Sequence, residues 1–426
     1  MLERIHIRGF KSLRDVEVEL APLVVVFGPN AAGKSNFLEV LVLLSRLIGE
    51  RTLADAFESG IRGYPLEAFS LPPEGMDALM KQAQASLALD ARVRLPVPEG
   101  RTANPKPENQ DRIHYKVGVQ VTPVSGELGL SEEYLARESS RGTLRGSPSI
   151  ELMEGKLHIR RKSKASHPFT EKTGIGHTLV SNRQYSGAEH FPNLDALRAE
   201  VGTWRVVYLD PREAMRRAQP PRETQDIGER GELLVPFLHR LSQQHPKAFA
   251  AVLRGVRAVI PSVEAITTEL VPTRGEIDLK VKQDGAWMSA RVLSEGTLRV
   301  MALCAMAANP AASGLLAFEE PENGVHPRRI EVITSLLASV SRRRQVVVTT
   351  HSPLVVGQIS QMIRSGEIEA QHVRLLRCSA AGQDGTRLRP FDSLGPIFED
   401  EEVRKALAAT DDSDLIQAML VRGWLE

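Results

Sequence analysis

The chain has 426 residues, with 54 Lys and Arg against 53 Asp and Glu and a formal net charge of +1. Hydrophobic residues make up 42% and charged residues 25%. That ordinary globular balance excludes a mainly disordered chain and a strongly basic nucleic-acid coat, though not a local basic patch. The length allows two or three domains, or one large domain with insertions.

From Leu2 to Leu20 apolar residues alternate (Ile5, Ile7, then Val16, Val18, Leu20), which predicts two strands with Gly9 near the bend between them. PLVVVFG follows, a continuous apolar run of the kind that suits a buried parallel strand. It leads into GPNAAGKS and a helical pattern, NFLEVLVLLSRLIGE. From about Arg51 to Thr203, Pro, Gly and charge are frequent, and IHYKVGVQVTP and LHIRR read as strands. This span is expected to be an insertion of antiparallel strands and some helix. No heptad pattern persists, so no long coiled-coil arm is expected.

A strand is predicted over Arg205 to Leu209, and helix from about Thr224 to Val259. Alternating pieces (AITTEL, EIDLKVKQ) then lead to RVLSEGTLRVMALCAMAA, GLLAFEEPENGVHP, a helix, QVVVTTHSP, another helix and a strand at HVRLLRC. Strands alternating with helices predict an α/β fold with a largely parallel central sheet. The predicted boundaries are 1–60 for the first part of the core domain, 61–203 for the insertion, 204–270 for a strand with a helical lobe, and 271–426 for the rest of the core.

Gly28-Pro29-Asn30-Ala31-Ala32-Gly33-Lys34-Ser35 matches G-x-x-x-x-G-K-[ST] between a strand and a helix, the context a phosphate-binding loop requires. Glycines let backbone amides turn around an anion, and the following helix adds its positive end. Lys34 can neutralise β- and γ-phosphate oxygens, and Ser35 can offer a hydroxyl to Mg²⁺. A chance Gly-Lys-Ser turn is the plain alternative, and the strand–loop–helix setting argues against it.

Three later motifs follow in order. Leu315 to Pro321 is an apolar strand ending in Glu319 and Glu320. Adjacent strand residues face opposite ways, so the two acids need different tasks: Glu319 to hold Mg²⁺ through water, Glu320 to polarise the attacking water. Leu293-Ser294-Glu295-Gly296-Thr297 opens a helix, with Ser294 as its N-cap and Gly296 leaving room for a phosphate. Val346 to Pro353 is a buried strand delivering His351 at its C-terminal end, where α/β sheets place ligands and where a bond to the γ-phosphate could sense hydrolysis.

Together these motifs resemble the ABC-type ATPases, and within them the branch containing the SMC, RecF and OLD-family proteins. The cues are IRGFKSL, GPNAAGKSN, LSEGT, FEEPENGVHP and TTHSP, over about residues 1–48 and 291–356. The resemblance implies a P-loop ATPase head with a parallel central sheet, an antiparallel β lobe and an inserted helical lobe. It implies ATP and Mg²⁺ as cofactors, with Asn36 joining Gly28 to Ser35 in the nucleotide-binding set. It also implies a homodimer around two ATP molecules, in which Ser294 and the Gly296 amide meet the γ-phosphate held by the other subunit. Departures from the transporter pattern are LSEGT for LSGGQ, Glu319 at the usual aspartate position, and Glu322 to Pro327 in place of the usual D-loop, with His326 its candidate cross-subunit residue. No glutamine fits a Q-loop by spacing; Gln120 and Gln184 are the candidates.

OLD-family nucleases append a second domain after the ATPase. Only about 75 residues follow His351, so no fused nuclease is expected, and Asp411, Asp412 and Asp414 are read as a polar tail or helix start. His158, His167, His177 and His190 have no metal-ligand spacing. Lys156 to Lys164 and Arg212 to Arg222 are basic clusters, ordinarily solvated faces but candidates for DNA contact. Two cysteines, no signal-peptide pattern and no spanning segment predict a cytoplasmic chain without membrane contact. The expected function is an ATPase that gates a separate effector, a nuclease encoded nearby, in anti-phage defence. The alternative is a RecF- or SMC-like repair ATPase that binds DNA directly. A transporter motor fits LSEGT and the insertion less well.

Overall fold

The structure, a computed structural model, describes residues 1–58, 60–95, 110–162 and 164–391. The acidic cluster Asp411, Asp412 and Asp414 lies outside the described residues. The chain opens with β1 (Leu2–Phe10), β2 (Leu13–Glu19) and β3 (Leu23–Phe27), then α1 (Lys34–Gly49), α2 (Leu53–Glu58) and α3 (Met76–Met80). Next come β4 (Ala85–Arg94), β5 (Arg112–Thr122), β6 (Glu127–Glu138), β7 (Ile150–Met153), β8 (Lys156–Arg161), β9 (Lys164–Lys172), α4 (Pro192–Val201) and β10 (Arg205–Val207). The helices α5 (Leu234–Gln244) and α6 (Pro246–Val259) precede β11 (Val263–Val271), β12 (Glu276–Gln283), β13 (Ala286–Ser289) and α7 (Glu295–Ala308). Last are β14 (Leu315–Glu319), α8 (Ile330–Ser341), β15 (Gln345–Thr350), α9 (Pro353–Arg364), β16 (Val373–Ala380) and β17 (Thr386–Pro390).

Two compact units emerge. The first takes Met1–Ala21, Gly28–Trp204 and Leu376–Pro390. The second takes Pro22–Phe27, Arg205–Leu375 and, among the described residues, Phe391.

The first unit is built on an antiparallel sheet in the order β2-β1-β4-β5-β6-β7-β8-β9. Period-two burial makes it: Ile113, Tyr115, Val117, Val119 and Val121 of β5 all point inward. β1 pairs with β4, Ile5 opposite Ala91, so strands from the first ten residues and from the 61–203 span share one sheet. The bend between β1 and β2 lies at Lys11 and Ser12, not at Gly9, which is still inside β1. Gly9 (φ 73°) is there because any Cβ would overlap the Ser86 carbonyl of β4. The longest helix among the described residues is α1, with 16 residues.

The second unit carries four parallel strands in the order β10-β14-β15-β3. β14, β15 and β3 are buried almost throughout, as their apolar runs require. In register, Glu319 pairs with Thr349 and Thr350 with Phe27, so the strand ends collect at one edge. α7 is apolar on nearly every side and is buried, as such a helix must be. The stretch from Thr224 to Leu233 is not helical: Gly228 and Gly231, each at φ 78°, turn the chain where the sequence predicts a helix. Pro246 then separates α5 from α6, and β10 ends at Val207, two residues short of its predicted end.

Candidate nucleotide site

In the first unit the loop Gly28 to Ser35 leads into α1. Gly28 (φ 153°), Ala31 (φ 64°) and Gly33 (φ 105°) take positive φ, which an alanine adopts only under strain. Pro29, Asn30 and Ala31 are exposed, whereas Ala32 and Lys34 are buried. The Lys34 ammonium donates to the carbonyls of Gly28 at 2.9 Å and Pro29 at 2.8 Å, bridging the loop. Gly33 caps α1 without a side-chain bond, and the first turn has no acid. The positive end of the helix is therefore uncompensated, and with the ammonium and the Ser35 hydroxyl it forms a donor set that fits a triphosphate with Mg²⁺.

The loop is clamped from behind by residues that sequence spacing did not single out. Thr386 Oγ1 donates to the Ala32 carbonyl at 2.8 Å, and Cys378 Sγ reaches the same oxygen at 3.2 Å. Ser12 Oγ lies 2.7 Å from Thr386 Oγ1 and accepts from Asn36 Nδ2 at 2.7 Å. The Ser12 carbonyl accepts the Thr386 amide at 2.7 Å. The gaps left by Gly28 and Gly33 are filled by Cys378 O and Thr386 Oγ1, so neither position tolerates a Cβ. Lys11 donates to Glu39 Oε2 at 2.5 Å; Glu39 is 1% exposed on α1 and also pairs with Arg62. The IRGFKSL segment thus contributes its Lys-Ser turn as a brace for the phosphate loop. Asn36 serves that brace.

In the second unit Glu319 ends β14 opposite Thr349. Glu320 leaves the strand with φ 49°, and its amide still donates to Thr349 O at 2.9 Å. The turn swings its carboxylate to His351, with Nδ1 and Oε1 2.8 Å apart, and Asn323 Nδ2 donates to Oε2 at 2.6 Å. His351 is half-exposed just past β15. Glu322, nearly buried, accepts the Thr350 hydroxyl, and burial pushes its pKa up. Sequence spacing places Asn323 and Glu322 only in the segment that stands where a D-loop would be, with no sign of these bonds.

Ser294 caps α7, its Oγ accepting the Thr297 amide at 3.1 Å. Ser294 is exposed, whereas Gly296 is buried. The space beside the Gly296 Cα belongs to the protein: a Cβ there would overlap Gly324 O, so this glycine answers the EPENG loop. His326 Nδ1 accepts the Arg328 amide at 3.3 Å, capping a short 3₁₀ turn. Gln120 sits within β5 opposite Ser86, and Gln184 on a turn held by Asn182. Of the basic clusters, Arg160 pairs with Glu151, Arg161 stacks 4.7 Å from the Phe169 ring, and Arg212 pairs with Glu295 at 2.8 Å. Among the described residues no group of three or more His, Cys, Asp or Glu could hold a metal ion.

Two family models match. One, described as "AAA domain, putative AbiEii toxin, Type IV TA system", covers residues 129–357, more than half of the chain. The chain belongs to this AAA ATPase family. The second, an AAA ATPase domain, covers residues 1–61 and with them the phosphate loop. A 44-residue stretch is 39% identical to the OLD nuclease of Thermus scotoductus, covering 10% of this chain and 8% of that protein's length. The fold is that of SMC heads. A solved SmcHead, bound to the C-winged helix domain of ScpA, aligns with a TM-score of 0.52 at 13% identity, over 94% of this chain and 99% of that one. The family is thus one of ATPases, with OLD-like sequence and an SMC-like head fold. No helix among the described residues is long and apolar enough to cross a membrane.

Proposed function

We propose that this ATPase binds MgATP through Gly28 to Asn36 and hydrolyses it with Glu320 as the group that draws a proton from the attacking water. The observation that carries this reading is the Glu320–His351 contact of 2.8 Å at the C-terminal ends of two parallel strands. A carboxylate there, fixed on both oxygens by His351 and Asn323, is oriented before any water arrives. His351 is half-exposed, and as an imidazolium it would donate from Nδ1 to Glu320 and from Nε2 to a γ-phosphate oxygen. Lys34 and the amides opening α1 would hold the phosphates, and Ser35 with Glu319 the metal. Bound Mg²⁺ would supply charge neutralisation on the phosphate oxygens.

We further propose that two copies close around ATP, with Ser294 and the Gly296 amide of one meeting the nucleotide of the other. A bond network centred on a γ-phosphate disappears with that phosphate, which makes ATP a reversible glue. The closed pair would gate a separate effector, a nuclease, in anti-phage defence. The matching family's description as a toxin of a type IV toxin–antitoxin system supports a chain that works beside a second protein. Direct DNA binding, as in a repair ATPase, is the second reading. The Arg161–Phe169 stack on the basic strand β8 favours it, since stacked aromatic and cationic groups suit nucleic acid.

The deciding measurement is ATP turnover by the purified chain, with its mass in solution with and without MgATP. Hydrolysis and an ATP-dependent dimer support the reading; no heat on nucleotide titration ends it. Co-purification with a neighbouring gene product separates the effector reading from salt-dependent DNA binding by the chain alone.

A further inference from the structure

Glu322 is 7% exposed, three residues past the end of β14, and the proposed chemistry makes no use of it. Its Oε1 accepts the Thr350 hydroxyl; Oε2 has no hydrogen-bond partner among the described residues. Burying a carboxyl is costly, and an apolar side chain would pack there more cheaply. What the acceptor provides is control of Thr350, the fully buried residue directly before His351. With its proton committed to Glu322, the Thr350 oxygen accepts the Ser352 amide at 2.9 Å. That bond spans His351 and fixes the turn from which the imidazole projects.

The same short loop holds the other half of the pair. Asn323 donates from its amide to Glu320 O at 3.1 Å and from its side chain to Glu320 Oε2 at 2.6 Å. The Val325 amide donates to Glu322 O at 2.9 Å. The loop after β14 and the turn after β15 are therefore tied twice: outside by Glu320–His351, inside by Glu322–Thr350. We propose that Glu322 is a positioning residue which, through Thr350, holds His351 against Glu320. The inference rests on the hydrolytic reading above and names a residue that reading does not require.

Steady-state ATP hydrolysis and nucleotide affinity would be measured for wild type, Glu322→Ala, Glu322→Gln, Thr350→Val, Thr350→Ser and the Glu322→Ala/Thr350→Val double variant. Glu322→Ala and Thr350→Val are each expected to lower kcat about ten- to a hundredfold, with KM within about twofold, as misplacement of a reacting group does. The double variant should be no slower than the slower single, because both break one link. Glu322→Gln keeps a carbonyl acceptor and Thr350→Ser keeps the hydroxyl, so both should stay within about threefold of wild type. Full activity in Glu322→Ala overturns the proposal, as does a glutamine variant as slow as the alanine one. If Glu322→Ala does not fold, Thr350→Val against Thr350→Ser carries the comparison, and equal rates overturn it. A wild-type protein without turnover would instead remove the hydrolytic reading itself.

Discussion

Glu320 Oε1 and His351 Nδ1 meet at 2.8 Å although 31 residues separate them in the chain. Parallel pairing of β14 and β15, Glu319 opposite Thr349, brings their strand ends together. The left-handed turn at Glu320 then aims the carboxylate sideways at the ring. Glu320→Gln preserves shape and removes the base. Turnover is expected to fall by about two to four orders of magnitude with ATP binding kept. Parallel measurements of hydrolysis and nucleotide binding check this; a glutamine variant at the wild-type rate would mean that Glu320 is not the base.

Lys34 spans the phosphate loop by donating to Gly28 O and Pro29 O. Lys34→Ala takes away that bridge together with the charge that would face the triphosphate. Calorimetry should then register no binding of MgATP at concentrations that saturate wild type. Retained affinity would show that the loop does not hold the nucleotide through this ammonium.

Gly296 lies against Gly324 so closely that no Cβ fits. Gly296→Ala must displace either the start of α7 or the loop that positions Glu320, and Gly324, at φ 78°, is poorly placed to adjust. A loss of about 1–3 kcal/mol in denaturant stability is expected, with turnover reduced at least about tenfold. An unchanged midpoint and rate would refute the close approach.

Glu133 in β6 is buried, with Tyr115 Oη and the Val180 amide donating to Oε1 at 2.9 and 3.2 Å and the Leu179 amide to Oε2 at 2.6 Å. Burial raises its pKa from 4.5 to about 7 despite those bonds. The folded state therefore holds a proton that the unfolded state releases between pH 4.5 and 7. This group's contribution is complete below pH 4.5 and is lost as pH rises through about 7, a decline of roughly 3 kcal/mol. Glu133→Gln should flatten that slope while lowering stability at pH 5, since its amide group would face the Leu179 N–H. Urea unfolding from pH 5 to pH 8 tests it; equal slopes in both proteins would contradict the assignment.

Local patterns could be read directly because each is a short-range matter. An apolar run followed by Gly-x-x-x-x-Gly-Lys-Ser and a helical period specifies strand, loop and helix within about 25 residues, and Ser294 caps α7 through an amide three residues on. Alternation likewise marks β1 and β2, and Gly9 lies two residues before their bend, but the reason for that glycine is the backbone of a strand some 80 residues away.

The amino-acid order alone carried the family, the strand–loop–helix pattern around Gly28 to Ser35 and the acid pair at the end of β14, Glu319 closing the strand and Glu320 just beyond it. Which groups meet depends on how the distant strands pair. Thr386 and Cys378 grip Ala32 from more than 340 positions along the chain, Ser12 braces Asn36, and Thr350 finds Glu322. The reason is physical. Backbone preferences act over a few residues, whereas a hydrogen bond between distant side chains exists only after sheet pairing has set the register that brings them within reach.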